Sequence, residues 1–204
     1  MILYGFGAPS RATRVAWALE EAGADWSYVA AWPSDPRVRE LHPLGKLPIL
    51  VDGELVLTES LACCTYVADQ HPDKGLTPAP GTIDRARYLQ WGSFLVTELE
   101  QPLWTKAKHR RILPQPLRVD VGPAVEHDFN RAVTYLSGEI GDRMYLLGDR
   151  FTILDLIATH CLRWARSARF GELLPDNLAA YEAFHAQRPA LARATAREAQ
   201  GATS

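Results

Sequence analysis

Apolar runs and polar breaks alternate along the first third of the chain, in a pattern that predicts short strands separated by helices. Residues 2–6 and 26–30 are short apolar runs of the kind that form buried strands. Between them, apolar side chains recur at helical spacing, and Gly23 follows as a helix C-cap. Arg14 and Glu21 fall on the polar side of this helix, so we expect both side chains to face outward.

Two further apolar runs, residues 49–51 and 55–57, are separated by Asp-Gly-Glu, which is a strong signal for a β-hairpin. A weaker helical segment over residues 37–41 precedes the hairpin. Pro48 stands at the entrance of the hairpin, where a proline can begin a strand. Another helical segment starts near Ser60. The order β-α-β-α-β-β-α predicts an open α/β sheet that ends in an antiparallel hairpin.

A segment rich in proline and glycine, residues 71–82, interrupts this pattern and predicts a boundary between two domains. Everything after it has helical periodicity. We therefore expect an α/β domain over residues 1–75 and an all-α domain over residues 83–204. The second domain opens with a long helix over residues 83–109, which Pro102 should bend because it removes a backbone donor.

A capping box marks the start of a later helix. Thr152 and Asp155 have the spacing at which each side chain bonds to the backbone of the other residue. Residues 153–164 are apolar nearly all round, so we expect this helix at the centre of the second domain.

Composition and charge exclude several classes of protein. Hydrophobic residues make up 47% and charged residues 23% of 204 residues, with a net charge of −2, so nothing indicates a nucleic-acid partner. No apolar run approaches the ~20 residues that cross a bilayer, and the N-terminus lacks the pattern of a signal peptide. Cys63, Cys64 and Cys161 form no Cys-x-x-Cys motif, and the six histidines lack ligand spacing. We expect a soluble, cytoplasmic protein without structural disulfides or a metal site.

Two positions carry candidate chemistry. Glu59 and Ser60 open the helix after the hairpin, where backbone N–H groups and the helix dipole favour an anion. Ser10 ends the first strand-to-helix turn, where a serine commonly acts as a helix N-cap. Thr13 is the nearest other hydroxyl, one turn further along.

The segment Gly45-Lys-Leu-Pro-Ile-Leu, followed by Leu57-Thr-Glu-Ser60, resembles the glutathione-binding motif of the glutathione S-transferase family. The helical second half and its capping box are also similar to that family, and residues 85–91 and 98–104 resemble its bacterial members. The resemblance implies a thioredoxin-like first domain, an all-α second domain and a homodimer.

The resemblance also implies roles for individual residues. Glu59 and Ser60 would hold the γ-glutamyl end of glutathione. A cis peptide bond at Pro48 would present the backbone of Leu47 to the cysteinyl part. Lys46 would meet the glycyl carboxylate, with a solvated surface lysine as the alternative.

For the reaction itself, the resemblance places Ser10 against the glutathione sulfur, with a plain N-cap as the alternative and Thr13 as the rival hydroxyl. Trp104, Lys108 and Trp164 would border the pocket of the second substrate, although core packing or a solvated position explains each of them as well.

The function that these features predict is a glutathione transferase. It would ionise the thiol of glutathione, its co-substrate, and transfer it to a small hydrophobic electrophile. Two alternatives use the same first-domain site: glutathione-dependent isomerisation or dehalogenation, and a stress protein that binds glutathione or another ligand without turnover. The second substrate is not identified, because its pocket is built from scattered helical side chains.

Overall fold

The computed structural model describes residues 1–201, and the chain divides into two compact units. The first unit contains Met1–Pro80 together with the chain from Gln187 onward, and the second contains Gly81–Ala186. The sequence prediction had assigned residues 83–204 to a single domain. In the structure, the last helix groups with the first unit.

Strands and helices follow one another along the chain much as predicted. In chain order they are β1 (Ile2–Gly5), α1 (Arg11–Ala22), β2 (Ser27–Ala30), α2 (Pro36–Leu41), β3 (Ile49–Asp52), β4 (Leu55–Thr58), α3 (Ser60–Gln70), α4 (Ile83–Phe94), α5 (Glu100–Ala107), α6 (Gly122–Ile140), α7 (Ile153–Ser167), α8 (Asp176–His185) and α9 (Pro189–Gly201). Within the described residues, no helix is both long enough and apolar enough to span a bilayer.

The sheet of the first unit has the strand order β2-β1-β3-β4. β1 runs parallel to β2 and antiparallel to β3, while β3 and β4 form the predicted hairpin. Asp52 pairs with Leu55, which leaves a two-residue turn in which Gly53 has a φ of 58°. Glycine adopts this left-handed conformation without steric cost, so the Asp-Gly signal predicted the turn correctly.

A helical run from Ile83 to Ile112 opens the second unit, and it contains π-helical turns, one of them at Leu95–Leu99. At the end of that turn the N–H of Glu100 donates to the carbonyl of Leu95, five residues earlier. Pro102 follows within the next turn and has no N–H to donate. A wider, π-helical turn therefore lies next to the proline at which the sequence predicts a bend.

Asp155 anchors the start of the buried helix α7. Its carboxylate accepts from the N–H of Thr152 at 2.7 Å, the N–H of Leu146 at 2.7 Å and the hydroxyl of Tyr181 at 2.6 Å. Burial raises the pKa of Asp155, and these hydrogen bonds oppose the rise. The capping box predicted from the sequence is present, and it also ties α7 to a loop and to α8.

Helix α9 packs against α1 in the first unit. Ala190, Ala194 and Glu198 recur every four residues and form its buried face. The two alanines allow the helices to approach closely. At the edge of this contact, Arg193 Nε donates to a carboxylate oxygen of Glu20 at 2.8 Å.

Two charged side chains of α1 are not directed outward as the sequence predicted. Arg14 is completely buried, and Glu21 is partly buried where Arg188 Nη2 donates to it at 2.8 Å. Helix α1 packs against β1, α3 and α9, so more than one of its faces is covered. The helical period identifies one apolar face but does not reveal that a second face is also buried.

Candidate functional site

The turn that joins β1 to α1, residues 7–10, ends at Ser10 and is called the Ser10 turn below. Ser10 has extended backbone angles and caps α1, because its Oγ accepts from the N–H of Ala12 at 3.2 Å. In return, the N–H of Ser10 donates to Oγ1 of Thr13 at 3.1 Å. The structure therefore confirms the N-cap interpretation of Ser10. It also shows that the rival hydroxyl, Thr13, is the second half of this capping box.

The hairpin leads into α3 through Glu59 and Ser60. Glu59 is exposed and has a φ of 66°, which is rare for a residue other than glycine, while Ser60 is the buried first residue of α3. The helix start predicted from the sequence is confirmed. Strained backbone of this kind often occurs at ligand sites, where the surrounding structure holds it in place.

Arg14 links these two positions. It lies one helical turn after Ser10 on α1, and its Nη1 donates to Oγ of Ser60 at 3.2 Å in a buried contact. A buried guanidinium beside the N-terminus of α3 adds positive charge where the helix dipole already favours an anion. Sequence reasoning missed Arg14, because helical periodicity placed it on the polar side of α1.

The loop before β3, residues 46–48, is called the proline loop below, and it reaches the same edge of the sheet. The Leu47–Pro48 bond is cis, as predicted, and Pro48 is buried while Lys46 is exposed. The next residue, Ile49, pairs with both Tyr4 and Thr58. Since β3 is antiparallel to β1 and β4, it starts at the edge where those two strands end. The fold thus brings the proline loop, the Ser10 turn and the start of α3 to one edge.

Two aromatic residues that the sequence analysis did not select also lie at this edge. Phe6 follows β1 and Trp32 follows the parallel strand β2, and their rings stack with centroids 5.6 Å apart. Trp32 is 66% exposed and Phe6 41% exposed. The exposed rings add apolar surface next to the polar groups.

The three residues expected at the second-substrate pocket lie in the second unit. Trp104 is in α5, Lys108 begins the π-turn that follows it, and Trp164 is in α7; all three are partly buried. Helices α5 and α7 contact each other. A groove of about 610 Å³ in the same unit is lined by other residues, among them Phe94 and Tyr135.

The cysteines of α3 are poor candidates for redox chemistry. Burial raises the pKa of the Cys63 thiol to about 12 and that of Cys64 well above its ordinary value. Both thiols therefore stay protonated. Over residues 1–201, no group of histidine, cysteine and acidic side chains is arranged to hold a metal ion.

Comparison with known proteins finds that the chain is similar to glutathione S-transferases. Residues 3–75 match the family model described as "Glutathione S-transferase, N-terminal domain". Over 198 residues, the chain is 28% identical to the glutathione S-transferase GstA of Escherichia coli O157:H7, covering 92% of this chain and 93% of that protein. A sphingomonad glutathione S-transferase, solved in complex with glutathione, aligns with a TM-score of 0.83 at 29% identity, covering 98% and 99% of the two chains. The chain is thus similar to glutathione S-transferases over nearly its whole length.

A further solved glutathione S-transferase is similar to this chain. The bacterial beta-class enzyme of Sphingomonas chungbukensis aligns with a TM-score of 0.81 at 28% identity, and the alignment covers 97% and 98% of the two chains. The alignments cover both units, so the predicted fold class, a thioredoxin-like α/β domain followed by helices, is confirmed.

Proposed function

We propose that this protein conjugates the thiolate of glutathione to a small hydrophobic electrophile. The observation that carries the proposal is the convergence of the proline loop, the Ser10 turn and the start of α3 at one edge of the sheet, with Arg14 bonded to Ser60 between them. The relatives, which are named as glutathione S-transferases, favour conjugation over isomerisation, dehalogenation or binding without turnover.

We assign the binding of glutathione to the residues predicted from the sequence. Glu59 and Ser60 receive the charged γ-glutamyl end, at the N-terminus of α3 and above the buried guanidinium of Arg14. The backbone of Leu47 pairs with the cysteinyl part, and Lys46 meets the glycyl carboxylate from its exposed position.

Ser10 is assigned to the sulfur. Its Oγ accepts one bond from the N–H of Ala12, and a serine hydroxyl is both a hydrogen-bond acceptor and a donor. An unperturbed thiol with a pKa of ~8.5 is about 3% ionised at pH ~7, and lowering its pKa to ~6.5 takes ~2.7 kcal/mol. One charged hydrogen bond contributes ~1.5–3 kcal/mol and the N-terminus of α1 about 0.3–1 kcal/mol, so no general base is required.

The electrophile site is assigned to Trp104, Lys108 and Trp164 of the second unit. Their aromatic rings and aliphatic stem suit an apolar substrate. No metal or further cofactor is required, since the reaction needs only an ionised thiol. Nucleic acid and membranes are not among the proposed partners, and a cytoplasmic location remains the expectation.

A second copy of the chain is the proposed protein partner. Trp91 and Tyr135 stack in the second unit with centroids 5.7 Å apart, and Tyr135 is 46% exposed beside the groove lined by Phe94, Glu98 and Arg131. Exposed aromatic side chains next to arginine are typical of interfaces. Light scattering should give twice the chain mass of 22.7 kDa, whereas a particle of 22.7 kDa would rule out the homodimer.

The enzyme assignment is tested by the variant Ser10→Ala. We expect nearly unchanged affinity for glutathione, a roughly 10- to 100-fold loss of turnover near pH ~7, and partial recovery near pH ~9, where the thiol ionises unaided. The measurement is the pH–rate profile with one electrophile, alongside glutathione affinity by calorimetry.

The matched control is Thr82→Ala. Thr82 caps α4 in the second unit by accepting from the N–H of Arg85 at 3.1 Å, so its loss removes a helix cap of that unit. Its pH–rate profile should equal that of the wild type. If Ser10→Ala behaves like this control, the sulfur-contacting role passes to Thr13 or to a backbone amide.

A further inference from the structure

Tyr28 of strand β2 places its phenol hydroxyl against the Ser10 turn. The N–H of Gly7, the first residue of that turn, donates to the hydroxyl oxygen of Tyr28 at 2.7 Å in a part-buried contact. In the sheet, Tyr28 pairs with Leu3 of the parallel strand β1. Because its hydroxyl reaches Gly7, the side chain extends along the sheet toward the edge where β1 ends.

Two glycines make room for this side chain. A Cβ atom on Gly5 would lie 2.7 Å from the hydroxyl oxygen of Tyr28, and a Cβ atom on Gly201 of α9 would lie 2.5 Å from Cδ1 of the ring. Both distances are shorter than real Cβ contacts, so the ring fits in its place because both positions are glycine. The ring is therefore held between β1 and α9, and this fixes the direction of its hydroxyl.

The hydroxyl of Tyr28 is a neutral hydrogen-bonding group. Burial raises the pKa of Tyr28 to about 12, and the hydrogen bond from Gly7 opposes the rise. A phenol that stays protonated near pH ~7 does not take up the proton of a bound thiol. What Tyr28 contributes at this edge of the sheet is therefore the hydrogen bond to the backbone of Gly7.

The Ser10 turn is tied down at both of its ends. Residues 7–9 lie outside any helix or strand, and Gly7 has a φ of 93°, which side chains rarely allow. At the other end, the N–H of Ser10 donates to Oγ1 of Thr13 at 3.1 Å. The capping box thus fixes Ser10 relative to α1, whereas Tyr28 fixes the start of the turn relative to the sheet.

We propose that Tyr28 is a positioning residue, which acts through the backbone of Gly7 to hold the Ser10 turn on the sheet. The catalytic consequence rests on the proposed function, since Ser10 is assigned there to the glutathione sulfur. The hold on the turn itself needs no glutathione and can be measured in its absence.

The variant Tyr28→Phe tests the proposal, because it keeps the ring and removes only the hydroxyl that accepts from Gly7. By NMR of the ligand-free protein, the Gly7 amide should exchange its hydrogen roughly 10-fold faster than in the wild type, and the Ser10 amide resonance should move. The Ala31 amide, which donates to the carbonyl of Gly5 at 2.7 Å, should exchange at the wild-type rate. An unchanged rate at Gly7 or an unmoved Ser10 resonance overturns the proposal.

Tyr66→Phe is the matched control. It also removes a phenol hydroxyl from the first unit, where Tyr66 of α3 donates to Oδ2 of Asp52 at 2.8 Å. Asp52 is the last residue of β3, at the opposite end of that strand from the proline loop. The amides of Gly7 and Ser10 should behave in this control as in the wild type. If both variants change these amides alike, the effect is a general loosening of the unit and the proposal fails.

Kinetics separate positioning from a loss of stability. Near pH ~7, Tyr28→Phe should lower kcat roughly 2- to 10-fold, less than the loss expected for Ser10→Ala, while the KM for glutathione stays unchanged. Its pH–rate profile should move to higher pH, because a misplaced Ser10 hydroxyl stabilises the thiolate less. Tyr66→Phe should keep the wild-type profile.

A double variant shows whether Tyr28 acts through Ser10. When Ser10→Ala and Tyr28→Phe are combined, turnover should equal that of Ser10→Ala alone, because the hydroxyl that Tyr28 positions is absent. Losses that multiply, or an unmoved pH–rate profile in Tyr28→Phe, overturn the proposal. If the wild type binds no glutathione by calorimetry, the proposed function fails, and hydrogen exchange at Gly7 still decides whether Tyr28 holds the turn.

Discussion

Replacing Glu198 with glutamine should make the protein more stable above neutral pH. A carboxyl whose pKa is raised from 4.5 to about 7 in the folded state binds more protons there than in the unfolded state over that window. The wild type therefore loses stability as the pH rises from ~4.5 to ~7, and the loss is complete above that. At ~1.4 kcal/mol for each pH unit of difference, the ionised carboxyl costs about 3 kcal/mol.

Glutamine has nearly the same shape but no charge, so Glu198→Gln should avoid this cost. Near pH ~8 its free energy of unfolding should exceed that of the wild type by up to about 3 kcal/mol, and near pH ~4.5 the two should agree. The assay is urea unfolding followed by tryptophan fluorescence at a series of pH values, at one protein concentration because the proposed dimer makes stability concentration-dependent.

Glu20→Gln serves as the control, and it should lower the free energy of unfolding near pH ~8 relative to the wild type. The carboxylate of Glu20 lies 2.8 Å from Arg193, so its loss removes a favourable pair instead of an uncompensated charge. If the stability difference between Glu198→Gln and the wild type is the same at every pH, the carboxyl is not buried as an acid with a raised pKa. The reasoning would then be refuted.

Three further substitutions have outcomes that follow from the hydrogen bonds described above. Ser60→Ala should weaken glutathione binding roughly 10- to 100-fold, since a charged hydrogen bond contributes ~1.5–3 kcal/mol, and calorimetry would measure it. Arg14→Met should also weaken glutathione binding, and the affinity of Arg14→Lys should lie between those of Arg14→Met and the wild type. Equal affinities in all three proteins would show that Arg14 does not contribute to glutathione binding. Asp155→Ala leaves the buried donors of Thr152 and Tyr181 without an acceptor, so we expect a loss of about 3 kcal/mol or more in thermal or urea unfolding, and an unchanged midpoint would contradict this.

The sequence alone determined the features that depend on residues close together in the chain. The Asp-Gly turn, the Gly23 cap, the capping box at Thr152 and the start of α3 at Ser60 all occur where predicted. Each rests on a hydrogen bond or a backbone angle within about one helical turn, so its physical cause lies within the local sequence. The resemblance to the glutathione-binding motif then allowed the fold to be predicted, which the local features alone did not.

Only the tertiary structure determined which charged residues of α1 and α9 are buried. Periodicity assigns one buried face to a helix, but α1 packs against β1, α3 and α9, and Arg14 therefore lies in the core. In the same way, α9 follows the helical domain in the chain yet packs in the first unit and encloses Glu198. Both outcomes depend on contacts between segments that are far apart in the chain, such as α1 and α9. No local pattern encodes such contacts, because the burial of a charge is set by the elements that the completed fold places around it.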